Sequence, residues 1–234
     1  PNFCTVYSVE EQDGLPMIVM EYVDGRSLSH VIAEGLNPDS VPRLAGQIAA
    51  GLAAAHASGV VHGDLKPANV IVSREGMVKV LDFGLARSQR TSTSTDTLTD
   101  REPPIADATA QQGACEVEAT TEYYASSSDQ PGVIRGSLAY MSPEQSRGIP
   151  PTPASDVFAF GLTLAEMLSG CRAIAEQSPV KLLMRLQNEK LASEVAGKAD
   201  AAYRDVIAAM LAHDPLDRPS MAEIAVRLVA DSLA

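Results

Sequence analysis

The chain has no tryptophan, and aromatic residues make up only 4% of its 234 residues. A packed interior therefore has to be built mostly from Ala, Leu, Val, Ile and Met. The 45% hydrophobic content is sufficient for that. Basic residues are also scarce: 18 Lys and Arg against 30 Asp and Glu give a net charge of −12. Such a surface repels phosphate backbones, so no nucleic-acid partner is expected. Cys4, Cys115 and Cys171 are odd in number and far apart. They form neither a disulfide framework nor a C-x-x-C metal pattern, which points to a reducing, cytoplasmic setting. No apolar run reaches the roughly 20 residues of a membrane span, so membrane attachment is not visible in this chain. A signal peptide is missing too, but the chain opens on Pro1 and not on Met. It is expected to be a piece of something longer.

What is present alternates strands and helices. "TVYSV" and "MIVME" flank the turn-rich "EEQDG" and read as a β-hairpin. "RSLSHVIAEG" reads as a short helix ending at Gly35. A long helix is predicted from Ser40 to Ser58. Val41, Leu44, Ala45, Ile48, Ala49, Leu52 and Ala55 recur there at helical spacing, with Ser40 as its cap and Gly59 as its stop. "NVIVS" and "MVKVL" make a second small hairpin around "SREG". A buried helix is expected over Ser155 to Ser169, then helices in "SPVKLLMRLQNEK" and "DAAYRDVIAAMLAH". A last helix starts at Ser220, where "SMAE" forms a capping box with Glu223.

One segment stands apart. Residues 88–130 hold 14 Ser or Thr, eight acids and two arginines, so this stretch carries −6 of the chain's charge. It has almost no apolar periodicity. A disordered insertion is expected there, because it cannot bury enough surface to offset its ordering entropy.

Chemistry concentrates in "HGDLKPANVIV" (His62 to Val72) and "VLDFGLA" (Val80 to Ala86). Asp64, Lys66 and Asn69 fall in a loop between the long helix and a short strand, and Asp82 follows the next strand. Phosphoryl transfer needs these residue types together. A carboxylate accepts or orients the hydroxyl proton, a cation offsets charge on the moving phosphoryl group, and a carboxylate and an amide oxygen hold magnesium. The bland alternative is that Asp64 and Asn69 are ordinary turn residues. Lys79 and Arg87 read as solvated charges, and His56 and His213 as helix-surface or packing residues.

At these residues the chain resembles the eukaryotic-like Ser/Thr protein kinases, including the bacterial ones. "HGDLKPAN" resembles their catalytic loop and "DFG" their magnesium loop. "GSLAYMSPEQ" resembles the end of the activation segment, "SDVFAFG" the helix that anchors the catalytic loop, and "DPLDRPS" a turn near the end of the fold. "MIVMEYVDGRSL" resembles the last small-lobe strand, the hinge and the first large-lobe helix. The likeness covers nearly the whole chain, with the motifs in family order. It implies an α+β, protein-kinase-like fold: a mainly α-helical large lobe over residues 23–234, preceded by a small-lobe remnant and hinge start over 1–22. It further implies Asp64 as catalytic base and Lys66 at the γ-phosphate of ATP. Asn69 and Asp82 would be the Mg²⁺ ligands, and Ser137 would stand beside Asp64 and Lys66. Glu21 and Val23 would offer hinge backbone to the adenine, with Met20 as gatekeeper. Asp156 would accept backbone hydrogen bonds from the catalytic loop, and Glu144 would pair with Arg218. The implied partners are ATP and a protein substrate, and the competing reading is a kinase-like binding module that does not catalyse.

Two departures qualify the resemblance. Gly63 stands where the family usually has an Arg that pairs with a phosphorylated residue. The chain also contains no G-x-G-x-x-G, and none of its five lysines lies in a "VAIK"-like strand. Most of the lobe that covers ATP is therefore expected to be missing, and this chain alone is expected to be inactive.

Overall fold

The computed structural model describes residues 2–12, 15–81, 138–176 and 178–231. The insertion expected over 88–130 lies outside them, as do Cys115, Arg87, Asp82 and Ser137.

Two small sheets precede most of the helices. Strands β1 (Val6–Gln12) and β2 (Leu15–Met20) pair antiparallel, the hairpin expected around the turn-rich "EEQDG". Residues 2–4 then run beside the second sheet: Phe3 bridges Val80 in parallel, and Cys4 N–H donates to the Val80 carbonyl at 3.1 Å. That second sheet has the order β3 (Gly25–Ser27), β4 (Val70–Ser73), β5 (Val78–Val80), all antiparallel. The β4–β5 hairpin was expected, but β3 was not. Residues 26 and 27 were read into the following helix, which is α1 (Leu28–Ala33), N-capped by Ser27. Three residues are too few to show a period of two, so the strand left no signal.

Helix α2 (Val41–Ala57) buries the apolar stripe read from the sequence, including Val41, Leu44, Ala45, Ile48 and Leu52. Its start corrects one expectation. Ser40 is already helical and makes no side-chain cap; it closes a 3-10 turn, Pro38–Ser40, whose cap is Asn37. The helix stops where Gly59 adopts φ +72°, a conformation glycine takes without steric cost.

Helix α3 (Pro153–Ser169) is the central buried element, with Phe158, Phe160, Leu162 and Leu164 essentially inaccessible. It begins two residues before the expected Ser155. Pro153 fits the first helical turn, and Thr152 and Ser155 form a reciprocal capping box. The helix expected to run to residue 190 stops at Leu186 as α4 (Pro179–Leu186), and a short helix that was not expected, α5 (Leu191–Ala196), follows it. Helix α6 (Ala201–Met210) is capped by Asp200. Helix α7 (Met221–Asp231) starts at the predicted box: Ser220 N–H donates to Glu223 Oε2 at 2.7 Å, and Glu223 N–H donates to Ser220 Oγ at 3.3 Å. Helix α2 packs between α7 and α3. This layer holds the loop 58–69 against the three-stranded sheet. No helix of the described residues is long and apolar enough to cross a membrane.

Candidate active site

The loop between α2 and β4 gathers three of the residues singled out in the sequence. Lys66 Nζ lies 2.5 Å from Asp64 Oδ2. Asn69 Nδ2 donates to the Asp64 carbonyl at 2.9 Å and to Asp64 Oδ2 at 3.3 Å. The Asp64 side chain remains 31% exposed and Lys66 17%, so the carboxylate can meet a molecule arriving from solvent while its cation stays in place. Asn69 sits in a 3-10 turn, Pro67–Asn69, that delivers the chain into β4.

The loop is fastened from below by Asp156 on α3. Its Oδ2 accepts from His62 N–H at 2.9 Å and its Oδ1 from Gly63 N–H at 2.8 Å, as the resemblance implied. His56 Nε2 approaches the same Oδ2 at 2.8 Å. His56 is therefore a partly buried partner of the anchoring carboxylate, and a surface or packing role does not describe it. Its signal in the sequence was one more position on the buried face of α2, next to Ala55. His62 is fully buried. Its Nδ1 accepts from Asp64 N–H at 3.2 Å, which leaves the ring proton on Nε2 to be donated to the Leu81 carbonyl at 2.9 Å. One imidazole thus joins the Asp64 loop to the strand end that leads to Asp82.

Gly63 has φ +78°, in the left-handed region that disfavours any side chain. Gln145 was not singled out in the sequence. It is buried at 5% exposure, and its Nε2 donates to the Gly63 carbonyl at 2.9 Å. Its Oε1 accepts from both Ser142 N–H and Ser142 Oγ at 3.1 Å.

At the other end of the sheet, Glu21 follows β2. Its carboxylate pairs with Lys79 Nζ at 2.8 Å and accepts from Thr5 N–H at 3.1 Å. The Lys79 hydrogen bond, followed by the one from Thr5, holds the carboxyl below the usual glutamate range. Lys79 also donates to the Phe3 carbonyl, so it is a half-buried tie from β5 to the residues on either side of the first hairpin and not the solvated charge expected. The Glu21 carbonyl accepts from Cys4 Sγ at 3.1 Å and keeps a second lone pair. Met20 ends β2, and Val23 is half-buried two residues beyond Glu21.

The Asn69 amide makes both of its hydrogen bonds through its nitrogen, so its oxygen, the atom type hard cations take, is left uncommitted among the described residues. With the Asp64 carboxylate beside it, that oxygen fits such an ion. Among the described residues there is no cluster of three His, Cys, Asp or Glu that could hold a metal without the asparagine.

With this geometry in place, comparison with known proteins defines the class. Residues 1–227 match the family described as protein kinase domain, and the chain belongs to that family. Members use ATP and a divalent metal. Among its curated relatives, the chain is 30% identical to the serine/threonine-protein kinase PrkC of Bacillus subtilis over 95% of its length. It is 31% identical to the serine/threonine-protein kinase pkn3 of Myxococcus xanthus over 95%, and 29% identical to PknL of Mycobacterium tuberculosis over 91%. The aligned chain spans 30%, 37% and 46% of those three proteins respectively, less than half of each.

Proposed function

We propose that this chain is the phosphotransfer unit of a Ser/Thr protein kinase, moving the γ-phosphate of ATP to Ser or Thr hydroxyls of a protein substrate. The observation that carries the reading is the contact of Asp64 Oδ2 with both Lys66 and Asn69 in one loop held by Asp156. In the transfer, the bond from the γ-phosphorus to the β–γ bridging oxygen breaks and a bond to the acceptor oxygen forms. Asp64 takes the acceptor's proton, and Lys66 offsets charge on the moving phosphoryl group. Asn69 and Asp82 are the residues that would hold Mg²⁺, which would draw charge from the phosphate oxygens. The Glu21 carbonyl and Val23 N–H receive the adenine edge beside Met20. The reducing, ATP-rich cytoplasm suits both the chemistry and the thiols of Cys4 and Cys171, which form no disulfide among the described residues.

The chain by itself transfers no phosphate in this reading. Its sequence has no Gly-rich loop to cover the phosphates and no strand lysine for the α- and β-phosphates. Transfer of this kind is mostly positioning and electrostatics, and charge contacts weaken severalfold where water remains. The test compares γ-labelled ATP incubated with this chain and with a fusion that adds a Gly-rich hairpin and a strand lysine ahead of Pro1. Labelled acceptor is expected with the fusion alone. Transfer by the chain itself, lost on Asp82→Ala, would make those elements dispensable. No transfer by either protein, with a kinase-binding partner still retained, would favour a non-catalytic binding module.

A further inference from the structure

The peptide unit between Gly63 and Asp64 is held at both of its polar atoms. Its carbonyl accepts from Gln145 Nε2 at 2.9 Å, and its N–H donates to His62 Nδ1 at 3.2 Å. This matters because Gly63, at φ +78°, is the residue of the loop with the widest choice of backbone conformations. A peptide plane following a glycine can rotate at little cost unless its ends are tied. Rotation here would swing the Asp64 side chain away from Lys66 and Asn69. Gln145 comes from the segment "MSPEQ", remote in sequence from the loop and itself locked. Its other amide atom is gripped by Ser142 N–H and Oγ, and the neighbouring Glu144 is fixed by Arg218.

We propose that Gln145 is a positioning residue: its amide locks the Gly63–Asp64 peptide plane, and so the aim of the Asp64 carboxylate, to the activation-segment end without any phosphate. This deepens the kinase reading and rests on Asp64 being the base. Where relatives of this family carry an arginine at position 63 to receive a phosphate, this chain uses a neutral hydrogen bond running the opposite way, from segment to loop. A neutral bond buried at 5% exposure is insensitive to salt and to phosphatase.

Two substitutions separate the lock from the turn it sits in. Gln145→Ala removes both ends of the bridge. Gln145→Glu keeps an oxygen for Ser142 but presents a second oxygen to the Gly63 carbonyl, so the lock is lost whenever the introduced carboxyl is ionised. The first readout needs no activity. Amide hydrogen exchange of Asp64, in this chain, is expected to rise about tenfold in Gln145→Ala, the scale of one lost hydrogen bond, with α3 amides unchanged. Unchanged exchange at Asp64 would overturn the proposal.

The second readout uses the active fusion described above. Both variants are expected to lower kcat about 10–100-fold with the KM for ATP unmoved, the scale of a misaimed group. Gln145→Glu is further expected to recover toward acid pH, where the protonated carboxyl donates to Gly63 as the amide did. His56, His62, Asp64, Lys66 and Asp156 surround the loop in both proteins, so a pH limb seen only in the variant belongs to residue 145. Full activity of Gln145→Glu at every pH would reduce Gln145 to a support for the Ser142 turn. A fusion that is inactive without substitution would count against the kinase reading, while the exchange measurement still decides the lock.

Discussion

Arg218 and Glu144 meet as a two-point ion pair, Nη1 to Oε1 at 2.7 Å and Nη2 to Oε2 at 2.9 Å, with the Arg218 side chain fully buried. The five N–H donors of the guanidinium are matched by five bonds. Two go to Glu144, and the others reach the carbonyls of Ala154, Ala212 and His213. The guanidinium also lies over the Phe158 ring, 5.0 Å from its centroid. One side chain therefore ties the "MSPEQ" segment, the start of α3 and the turn before α7 together.

Breaking this pair should be severe, because the remaining carboxylate is left buried. Arg218→Ala is expected to cost about 3–5 kcal/mol, out of a total near 5–15 kcal/mol for a domain. Chemical denaturation checks it; a midpoint within error of the parent would mean the pair does not support the fold.

The same pair sets a pH dependence. Burial works to raise the Glu144 carboxyl, but the Arg218 hydrogen bonds and charge outweigh it and hold the group below its ordinary 4.5. A carboxyl lowered in the folded state stabilises above its unfolded value and loses that contribution as pH falls toward the folded one. Thermal melts are therefore expected to fall below pH 4.5 in the parent. The share of that fall due to Glu144 should vanish in Glu144→Gln. An identical acid limb in the variant would assign the effect to other carboxyls.

Gly63 offers a backbone test. A non-glycine residue in the left-handed region costs about 1–2 kcal/mol, so Gly63→Ala should lose that much stability. Gly63→Arg should lose at least as much. Equal stability of Gly63→Ala and parent, by denaturant titration, would show that the loop can adopt another conformation.

Asp156 is expected to be less replaceable than its size suggests. Three donors converge on its two oxygens, from His62, Gly63 and His56. In Asp156→Asn one oxygen becomes a donor facing another donor, and an unsatisfied buried group costs about 1–3 kcal/mol. His56→Ala removes only the third contact and should cost about 1 kcal/mol. A reversed order of the two variants would place the anchoring role on His56.

Much of this was legible in the sequence, and the reasons are local. The stripe on α2, the Ser220–Glu223 box and the spacing of Asp64, Lys66 and Asn69 each depend on residues within a turn or two of one another. The contacts that escaped reading join distant segments. His56 meets Asp156 across 100 residues, Lys79 meets Glu21 across 58, and Gln145 meets Gly63 across 82. Only folding creates those neighbours, and nothing in "PEQ" alone says what its glutamine will touch. Glu144 with Arg218 and Asp156 with the His62–Gly63 backbone are exceptions among the long contacts, because they lie in motifs whose family resemblance paired them. The end of α4 at Leu186 was missed for a different reason: "LQNEK" carries strong helix formers, but Asn188 sits among them and its Oδ1 accepts from Lys190 N–H outside the helix.

The most direct test concerns Asp64. In the fusion that adds a Gly-rich hairpin and a strand lysine ahead of Pro1, turnover of labelled γ-phosphate onto a protein acceptor is measured for parent and Asp64→Asn at saturating ATP and Mg²⁺. Loss of the base should lower turnover about 10²–10⁴-fold while ATP affinity stays near that of the parent. Turnover by Asp64→Asn close to the parent's would remove Asp64 from the chemistry and contradict the assignment of this loop as the phosphotransfer site.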